Sequence, residues 1–587
     1  MKEVFSSVLF CLCVTASMAQ APVFQWVKDI AITGANLSQS SCESMKVDAQ
    51  GNVISVGYFK GNSDFDPDPT FGVNAYLNAD GVQAGFILKL DSDGDFLWAH
   101  KVGAAGGNCR VNAVALDNSG NIYCTGFFQS TVDFDPGVGT AELTPVGSAD
   151  AFVLKLNADG TFGWVKQIGG SDVQFGWSIA VATTGDIILA GNFFGTADFD
   201  PSANVSNMTS LGYADIFISK LDANGDFIWA KQIGSTNPSY GFEEEIELVL
   251  DGNDNILMTG WFYDSADFDP SSGVLELTTS GGTDMFAVKL DPNGALVWAK
   301  RVGTNGSGGQ VVGEGISTDA TGQVYLTGRF NSVADFDPGA GLNQIPSTSN
   351  DVFVLKLSSN GDFVWVRKVL GNQDDTGKAI VTAPDGTSYI TGGFEGTADF
   401  DNSLGTYNMT ATGTNARDCF VLRLDTDGNF DWAFKVGSIY TELGNAIDLD
   451  ASGTVHLLGF YDDPESSSYP DIDFDPGAGT FYLATSATGS RGFFLEKLSQ
   501  TSPVGVSETS QSELAIVYPN PTEGNFSINV KGANTLNIYD ATGKLVQTES
   551  LKSNAVGNYH LAGPSGIYFV QVIGLDGSVK SSKVVKR

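Results

Sequence analysis

The chain has 587 residues, 42% of them hydrophobic, which is material for one large domain and a small one. Its 68 acidic residues against 31 basic give a formal net charge of −37 at pH 7. A surface of that sign repels phosphate backbones and anionic lipid heads, so nucleic acid is excluded as a partner.

At the N-terminus, Lys2, an apolar stretch at residues 8–16 and the small-residue sequence Ser17-Met18-Ala19 before Gln20 make a secretory signal peptide, residues 1–19. It is too short to cross a membrane as a stable helix, and no later run reaches that length, so no transmembrane segment is expected.

From residue 20 to 499 two markers recur in step. Asp-Phe-Asp begins at Asp64, Asp133, Asp198, Asp267, Asp335, Asp399 and Asp473, at spacings of 64 to 74 residues. Trp26, Trp98, Trp164, Trp229, Trp298, Trp365 and Trp432 follow at intervals of 65 to 72. The second unit shows the elements best: residues 111–116 alternate, Asn118-Ser119-Gly120 turns, and residues 121–128 alternate back as a hairpin. Phe152, Leu154 and Leu156 put an apolar face on a third strand, and residues 162–168 form a fourth that carries Trp164. Four short antiparallel strands per unit, repeated seven times without helical periodicity, fit propeller blades better than solenoid coils. The fold class is therefore all-β: a seven-bladed β-propeller followed by a small C-terminal β-sandwich. The first unit begins at its tryptophan strand, residues 24–30, and the last ends at its third strand, residues 492–498. The two fragments should pair into one blade, closing the ring with the N-terminal strand and removing two exposed sheet edges.

The segments Asp150-Ala151-Phe152-Val153-Leu154-Lys155-Leu156 and Gly120-Asn121-Ile122-Tyr123-Cys124-Thr125-Gly126 resemble the bacterial β-propeller repeat family found in large secreted proteins, over about residues 22–499. That resemblance speaks to fold and hardly at all to chemistry.

Residues 500–513 are rich in Ser, Thr and Glu and read as a flexible linker. After it come Val517-Tyr518-Pro519-Asn520-Pro521, Gly524-Asn525-Phe526, Ile538-Tyr539-Asp540-Ala541-Thr542-Gly543-Lys544, Gly566-Ile567-Tyr568-Phe569-Val570 and Lys583-Val584-Val585-Lys586. In this order they resemble the type A C-terminal sorting domain of the type IX secretion system, a small β-sandwich at residues 514–587. The resemblance implies a Bacteroidota-like source, periplasmic transit, recognition by the type IX secretion machinery and passage across the outer membrane. It further implies removal of this domain, with release or attachment at the cell surface.

Cys42, Cys109, Cys124 and Cys419 remain after the signal peptide, and Cys42 and Cys109 fall near the entries of adjacent innermost strands, where a disulfide is compatible with the geometry. The spacing of thiol-redox or zinc-ribbon cysteines does not occur. With only His100, His456 and His560 in the chain, a Ser-His-Asp triad or a His-rich zinc site has little material.

Three groups of acids are candidates for chemistry. The pairs Asp64/Asp66, Asp133/Asp135, Asp198/Asp200, Asp267/Asp269 and Asp335/Asp337 could hold a hard cation such as calcium, or could cap turns through their own backbone, which is the plainer reading. The runs beginning at Asp91, Asp222 and Asp425 imitate the start of an EF-hand loop but lack its later bidentate Glu, so a hairpin turn explains them better. Glu43, Glu243, Glu244, Glu245, Glu314, Asp374, Asp375 and Glu442 break the repeat just before the innermost strands, with Trp177 at the same level. In a closed propeller these entries converge on one channel mouth, where an acidic ring with an aromatic could take an extracellular cation, basic peptide or glycan. The function expected is a secreted or surface-displayed binding module. The alternative is a polysaccharide lyase or glycosidase that uses a carboxylate pair such as Glu244 and Glu314.

Overall fold

The computed structural model describes residues 22–33, 40–67, 75–79, 83–103, 106–237, 246–304, 306, 308–401, 403, 405–414, 416–462, 472–477, 480–483, 491–499, 516–518, 522, 525–529, 533–540, 544–550, 556–561, 563–574 and 579–586. Every regular element among them is a β-strand. The chain divides into two compact units, Met1–Thr501 and Ser502–Arg587.

Among the described residues the first unit holds seven antiparallel sheets built on four principal strands each, four of them extended to six by a short hairpin, and two separate two-stranded hairpins. Sheet one is Ser41–Val47, Val53–Phe59, Ala84–Leu90 and Phe96–Val102; sheet two is Cys109–Leu116, Ile122–Phe128, Asp150–Leu156 and Phe162–Gly170. Sheet three is Gln174–Val181, Ile187–Phe193, Asp215–Leu221 and Phe227–Ile233; sheet four is Glu247–Leu250, Ile256–Asp267, Glu276–Leu290 and Leu296–Thr304. Sheet five is Val311–Thr318, Val324–Phe330, Asp351–Leu357 and Phe363–Gly371; sheet six is Thr376–Thr382, Ser388–Glu395, Arg417–Leu424 and Phe430–Val436. Sheet seven takes Glu442–Leu449, Val455–Asp462 and Arg491–Ser499 from the end of the unit and Val23–Thr33 from its beginning. The pairing runs from Phe24 opposite Leu498 to Ile30 opposite Phe493, which joins the two end fragments. The seven first strands touch in cyclic order, one to two and onward until seven meets one.

A sheet with two apolar faces cannot bury either alone, and here each face is covered by the next sheet. Seven buried clusters result, each drawn from two consecutive sheets, including seven with one. The phenylalanine of every Asp-Phe-Asp copy belongs to one of them: Phe65, Phe134, Phe199, Phe268, Phe336, Phe400 and Phe474 are all 2% exposed or less. Each ring lies 4.9 to 5.3 Å from a third-strand phenylalanine, from Phe65 on Phe86 round to Phe474 on Phe494. Such a pair adds about 0.5–1.5 kcal/mol beyond area burial. The residues around it form short hairpins that the four-strand reading did not anticipate. Thr196–Asp198, for example, pairs with the end of sheet two's fourth strand and with Asn207–Thr209.

The tryptophan marker has a different task. A third-strand Lys or Arg stands opposite each one, as Lys89 opposite Trp98 and Lys497 opposite Trp26. The lysines reach the turn between third and fourth strands of the following sheet. Lys89 Nζ donates to Ala158 O at 3.1 Å, Lys220 to Pro292 O at 3.3 Å, Lys289 to Ser359 O at 3.4 Å and Lys356 to Thr426 O at 3.3 Å. Trp298 Nε1 shares the Ser359 carbonyl at 3.1 Å. These turns need glycine twice over. Gly160 has φ +85°, and a Cβ there would stand 2.7 Å from Trp98 Cε2. At the closure, Lys497 Nζ from one end of the unit and Trp26 Nε1 from the other hold the same Ser92 carbonyl, at 2.8 and 3.3 Å.

Cys42 and Cys109 are free, buried thiols. The disulfide does not form because Cys42 faces the core between sheets seven and one, Cys109 the core between sheets one and two, and sheet one stands between them. Cys124 and Cys419 are free and buried as well.

The second unit contains a three-stranded sheet, Ile516–Tyr518, Asn525–Asn529 and Val556–His560, and a four-stranded sheet ordered Leu545–Ser550, Ala533–Asp540, Gly566–Gly574 and Val579–Lys586. Phe526 of the first and Leu536, Ile538, Tyr568, Val570 and Val584 of the second share one buried cluster. Lys586 Nζ ties the last strand to the carbonyls of Leu561 and Gly563 at 2.8 and 2.7 Å.

Sheet seven departs from its siblings in the core. Opposite Val27, where the other third strands present Leu88, Leu154, Ser219, Val288, Leu355 and Leu422, it carries Glu496. Glu496 is 0% exposed, and neither carboxyl oxygen has a hydrogen-bond partner. Burial pushes its pKa well above the usual range, so the group is held as an acid without partners, at a cost of about 1–3 kcal/mol. Replacing Glu496 by the leucine of the other sheets should raise the thermal unfolding midpoint at pH 7. An unchanged or lowered midpoint in a scan of the two proteins would show that the carboxyl is satisfied.

Candidate functional site

The first strands of six sheets carry a β-bulge at one equivalent place, and the bulged residues are Glu43, Asn112, Trp177, Glu314, Lys378 and Asn445. An extra residue in one strand is left out of the ladder and re-aimed. Each lies five residues before the turn that ends its strand, as Glu43 before Asp48 and Asn445 before Asp450, and Ile246 holds this place before Asp251 in sheet four. All seven line one cavity of about 360 Å³, together with Ser41, Tyr58, Arg110, Glu247, Leu443 and Phe460. Every sheet therefore contributes to it.

The walls are rigidly held. Asn112 Nδ2 donates to Gly176 O of sheet three at 2.8 Å, and Asn445 Nδ2 to Cys42 O of sheet one at 2.6 Å. Trp177 Nε1 donates to Asn192 Oδ1 at 2.7 Å, with Phe175 beside the indole at 5.7 Å. The Arg110 guanidinium lies 4.1 Å over Tyr58 and 5.6 Å over Phe127, and its Nε donates to Gln83 Oε1 at 3.0 Å. Arg491 covers Phe460 at 4.2 Å in the same manner. Glu314, 5% exposed, accepts from Arg329 Nη1 and from Thr376 Oγ1 at 3.1 Å, and its other oxygen meets Lys378 Nζ at 2.6 Å. Glu247 accepts from Ser178 Oγ at 3.1 Å.

The expected ring of acids is thus only partly assembled, and cations stand in it. Glu43, Glu314 and Trp177 line the cavity. Glu442 and Asp375 do not. They stand eight residues before their turns, the place of Ser40, Cys109 and Gln174 in other sheets, and all five are 0% exposed. This position is inside the wall and ties down the start of the sheet: Glu442 accepts Ser438 N at 2.8 Å and Ser438 Oγ at 2.5 Å from the preceding segment, and Asp375 accepts Glu395 N at 3.0 Å from the end of the second strand. Burial pushes both carboxyls up to about 8. Asp374 is exposed and accepts Asn350 N at 3.0 Å, away from the cavity. Glu243, Glu244 and Glu245 lie outside the described residues, so of the carboxylate pair Glu244 and Glu314 only Glu314 is placed. Arg110, Asn112, Ile246, Lys378 and Asn445 escaped the sequence reading, which looked for acids, and Glu247 was passed over for its neighbours Glu243, Glu244 and Glu245. The available signal was the position five before the turn, where the aligned units read Glu, Asn, Trp, Ile, Glu, Lys and Asn.

The Asp pairs are engaged with backbone. Asp133 Oδ1 accepts the amides of Asp135 and Ala141 at 3.1 and 2.7 Å. Asp198, Asp267 and Asp335 repeat this with residues two and eight further on. Asp64 accepts Asp66 N at 3.1 Å. The second acids cap the next turn, Asp135 from Gly137 N at 2.7 Å, Asp200 from Ser202 N, Asp269 from Ser271 N and Asp337 from Gly339 N. The EF-hand-like runs are capped hairpins too: Asp91 accepts the amides of Asp93 and Asp95, both at 2.9 Å, and Gly94 follows at φ +80°. Among the described residues no three His, Cys, Asp or Glu side chains converge as metal ligands.

Residues 516–587 match the family of secretion system C-terminal sorting domains. A similar protein is an uncharacterized WD repeat-containing protein of Acanthamoeba polyphaga mimivirus, 23% identical over 74% of this chain and 36% of its own length. The regulatory protein FlaEY of Caulobacter vibrioides is 25% identical over 30% of this chain and 17% of its own length. The chain thus spans about a third or less of the curated relatives it matches. Among solved structures, the RRP9 WD40 repeats cover 82% of this chain and 99% of theirs at TM-score 0.38 and 8% identity. The polysaccharide lyase Uly1 covers 80% and 91% at TM-score 0.37 and 10% identity. Likeness at this level says nothing of chemistry.

Two solution properties follow from the acids. Asp375 and Glu442 hold protons in the folded protein that the unfolded chain releases above its carboxyl range of about 4. Their contribution to stability is full below that range and lost as the pH rises to about 8. Turn acids such as Asp48 and Asp251, whose pKa is lowered by hydrogen bonds and a lysine against the opposing effect of burial, lose their contribution only on the acid side of the ordinary carboxyl range. The midpoint of unfolding should therefore fall between pH 5 and 8, and Asp375→Asn with Glu442→Gln should flatten that fall; parallel pH profiles for wild type and double variant would refute the assignment. With the Asp pairs occupied by amides, calcium against chelator should leave the midpoint within about 1 °C, whereas a rise of several degrees would make them metal ligands.

Proposed function

We propose that the protein is a secreted or cell-surface binding module: a seven-bladed β-propeller at residues 20–499 that presents one ligand site in its central cavity. A linker at residues 500–513 joins it to a small β-sandwich at residues 514–587. The signal peptide at residues 1–19 directs it to the periplasm, and type IX secretion machinery reads the sorting domain and carries it to the outer surface. The match of residues 516–587 to the sorting family supports the route. Among the described residues no helix is long and apolar enough to cross a membrane.

The observation that carries the binding role is the set of bulged first-strand residues. A repeat that keeps its Phe, Trp, Lys and turn residues sheet after sheet abandons them at the one place that lines the cavity. Ile246 and Trp177 also pack on the core between sheets three and four, but Glu43, Asn112, Glu314, Lys378 and Asn445 belong to none of the apolar clusters, so their diversity fits a ligand. An enzymatic reading that uses Glu244 and Glu314 gains no support from Glu314, whose carboxylate is held by Arg329 and Lys378.

Both halves are testable. Deleting residues 514–587 should leave the protein in the periplasm, measured by immunoblot of periplasm, cell surface and medium; undiminished surface or medium protein would sink the export route. Ligand binding, found by screening extracellular glycans and peptides against the secreted protein, should be lost in a Trp177→Ala, Asn445→Ala double variant that still unfolds cooperatively. Retained binding would move the site elsewhere.

A further inference from the structure

We propose that the ligand of this cavity is the end of a neutral saccharide chain, an inference that rests on the binding role above and specifies its chemistry. Charge is the first ground. The cavity and its immediate partners set Arg110, Arg329 and Lys378 against Glu43, Glu247 and Glu314. Glu314 is shared by two cations, and Arg110 is stacked and hydrogen-bonded. A bare cation or a phosphate drawn to Glu314, Arg329 or Lys378 would have to break one of these pairs and leave its partner charge in the cavity, which is costly. A neutral ligand leaves them intact.

Symmetry is the second. An ion on the axis of a ring of similar sheets is satisfied by like groups from each. Here the seven positions carry two acids, two amides, an indole, an aliphatic chain and an ammonium. Such a ring fits an asymmetric ligand that has an apolar face and many hydroxyls. Pyranose rings have both.

The third ground is how the groups are aimed. Asn112 and Asn445 each spend Nδ2 on a backbone carbonyl of the neighbouring sheet, which fixes the amide plane, and among the described residues no protein group meets either Oδ1. Two uncharged, pre-oriented acceptors are suited to hydroxyl donors, and little freedom is lost when they are used. Trp177 is pinned through Nε1 to Asn192 and lines the same space, which offers a flat apolar face beside them. At about 360 Å³ the cavity holds the volume of roughly a dozen waters at ~30 Å³ each. That suits a chain end of one or two sugar rings rather than a folded domain.

The experiment is calorimetric titration of the secreted protein with four neutral trisaccharides (β-1,4-glucan, β-1,3-glucan, β-1,4-xylan and α-1,4-glucan), beside a trigalacturonate, a Lys-rich peptide and calcium. A neutral trisaccharide should bind, and Trp177→Ala should weaken it roughly tenfold. Asn445→Leu keeps the side chain's bulk, removes the acceptor and should weaken the same sugar; it also removes the donor to Cys42 O, so a retained cooperative unfolding transition, rather than an equal midpoint, shows that each variant folds. If only the uronate, the peptide or calcium binds, and Trp177→Ala abolishes that binding, the saccharide inference fails while the binding role stands. If no probe binds through the cavity, both fail.

Discussion

No sheet of this protein can cover its own faces, and that constraint organises the rest. Each of the seven buried clusters takes side chains from two consecutive sheets, so removing any sheet would strip two cores at once. An open row would leave two large apolar faces in water; a ring leaves none. Closure depends on Val23–Thr33 lying against Arg491–Ser499, strands from opposite ends of the unit. The clasp there is built as at the junction of sheets four and five, by a lysine and a tryptophan on the following turn. Lys497 and Trp26 thereby bring both ends of the unit to the one carbonyl of Ser92.

The repeat's motifs then separate by task. The phenylalanine of Asp-Phe-Asp is core, its aspartates hold the hairpin that carries that phenylalanine in, and the tryptophan with its opposite lysine fixes the spacing between neighbours. The aspartate that opens several third strands belongs to this group. Asp215 is fully buried and accepts the amides of Leu211 and Ser235 and the Gln232 side chain, so it ties strand ends together. Residues that recur in every unit are therefore poor candidates for ligand chemistry. Those that differ from unit to unit at a fixed register are the informative ones.

This explains what was legible in the sequence. Period-two alternation and two markers in step revealed strands, units and the pairing of residues 24–30 with 493–498, because they report burial, which periodicity records directly. The hairpins around Asp-Phe-Asp were not legible. Their strands are two or three residues long, too short to alternate, and they rest on pairs such as Thr196 with Thr209 that carry no hydrophobic signal. The site was half legible. Glu43, Glu314 and Trp177 stood out as breaks in the repeat and do line the cavity. Glu442 and Asp375 stood out equally and point into the wall, because they lie three residues before the bulged Asn445 and Lys378, an odd number that puts them on the other face of the strand. Counting back from the turn, rather than forward from the strand entry, separates them.

The cavity and the closure are one construction. Asn445 of sheet seven donates to Cys42 O of sheet one across the seam where the ring shuts, and it is also a lining residue. Arg491, next to that seam, covers Phe460, pairs with Asp462 and donates to Ser40 O. The site is therefore complete only when the N-terminal strand is seated, so a ligand bound there would stabilise ring closure. Sheet seven is also where core positions are most polar: Glu442, His456 and Glu496 are each 1% exposed or less. Burial lowers the pKa of His456 and raises those of the two acids, so all three are favoured in their neutral forms. The sheet that must be assembled from both ends of the unit thus buries three polar groups that add nothing to hydrophobic burial. A ligand that bridges Asn445 to its neighbours across the seam would add to the contacts that hold the ring shut.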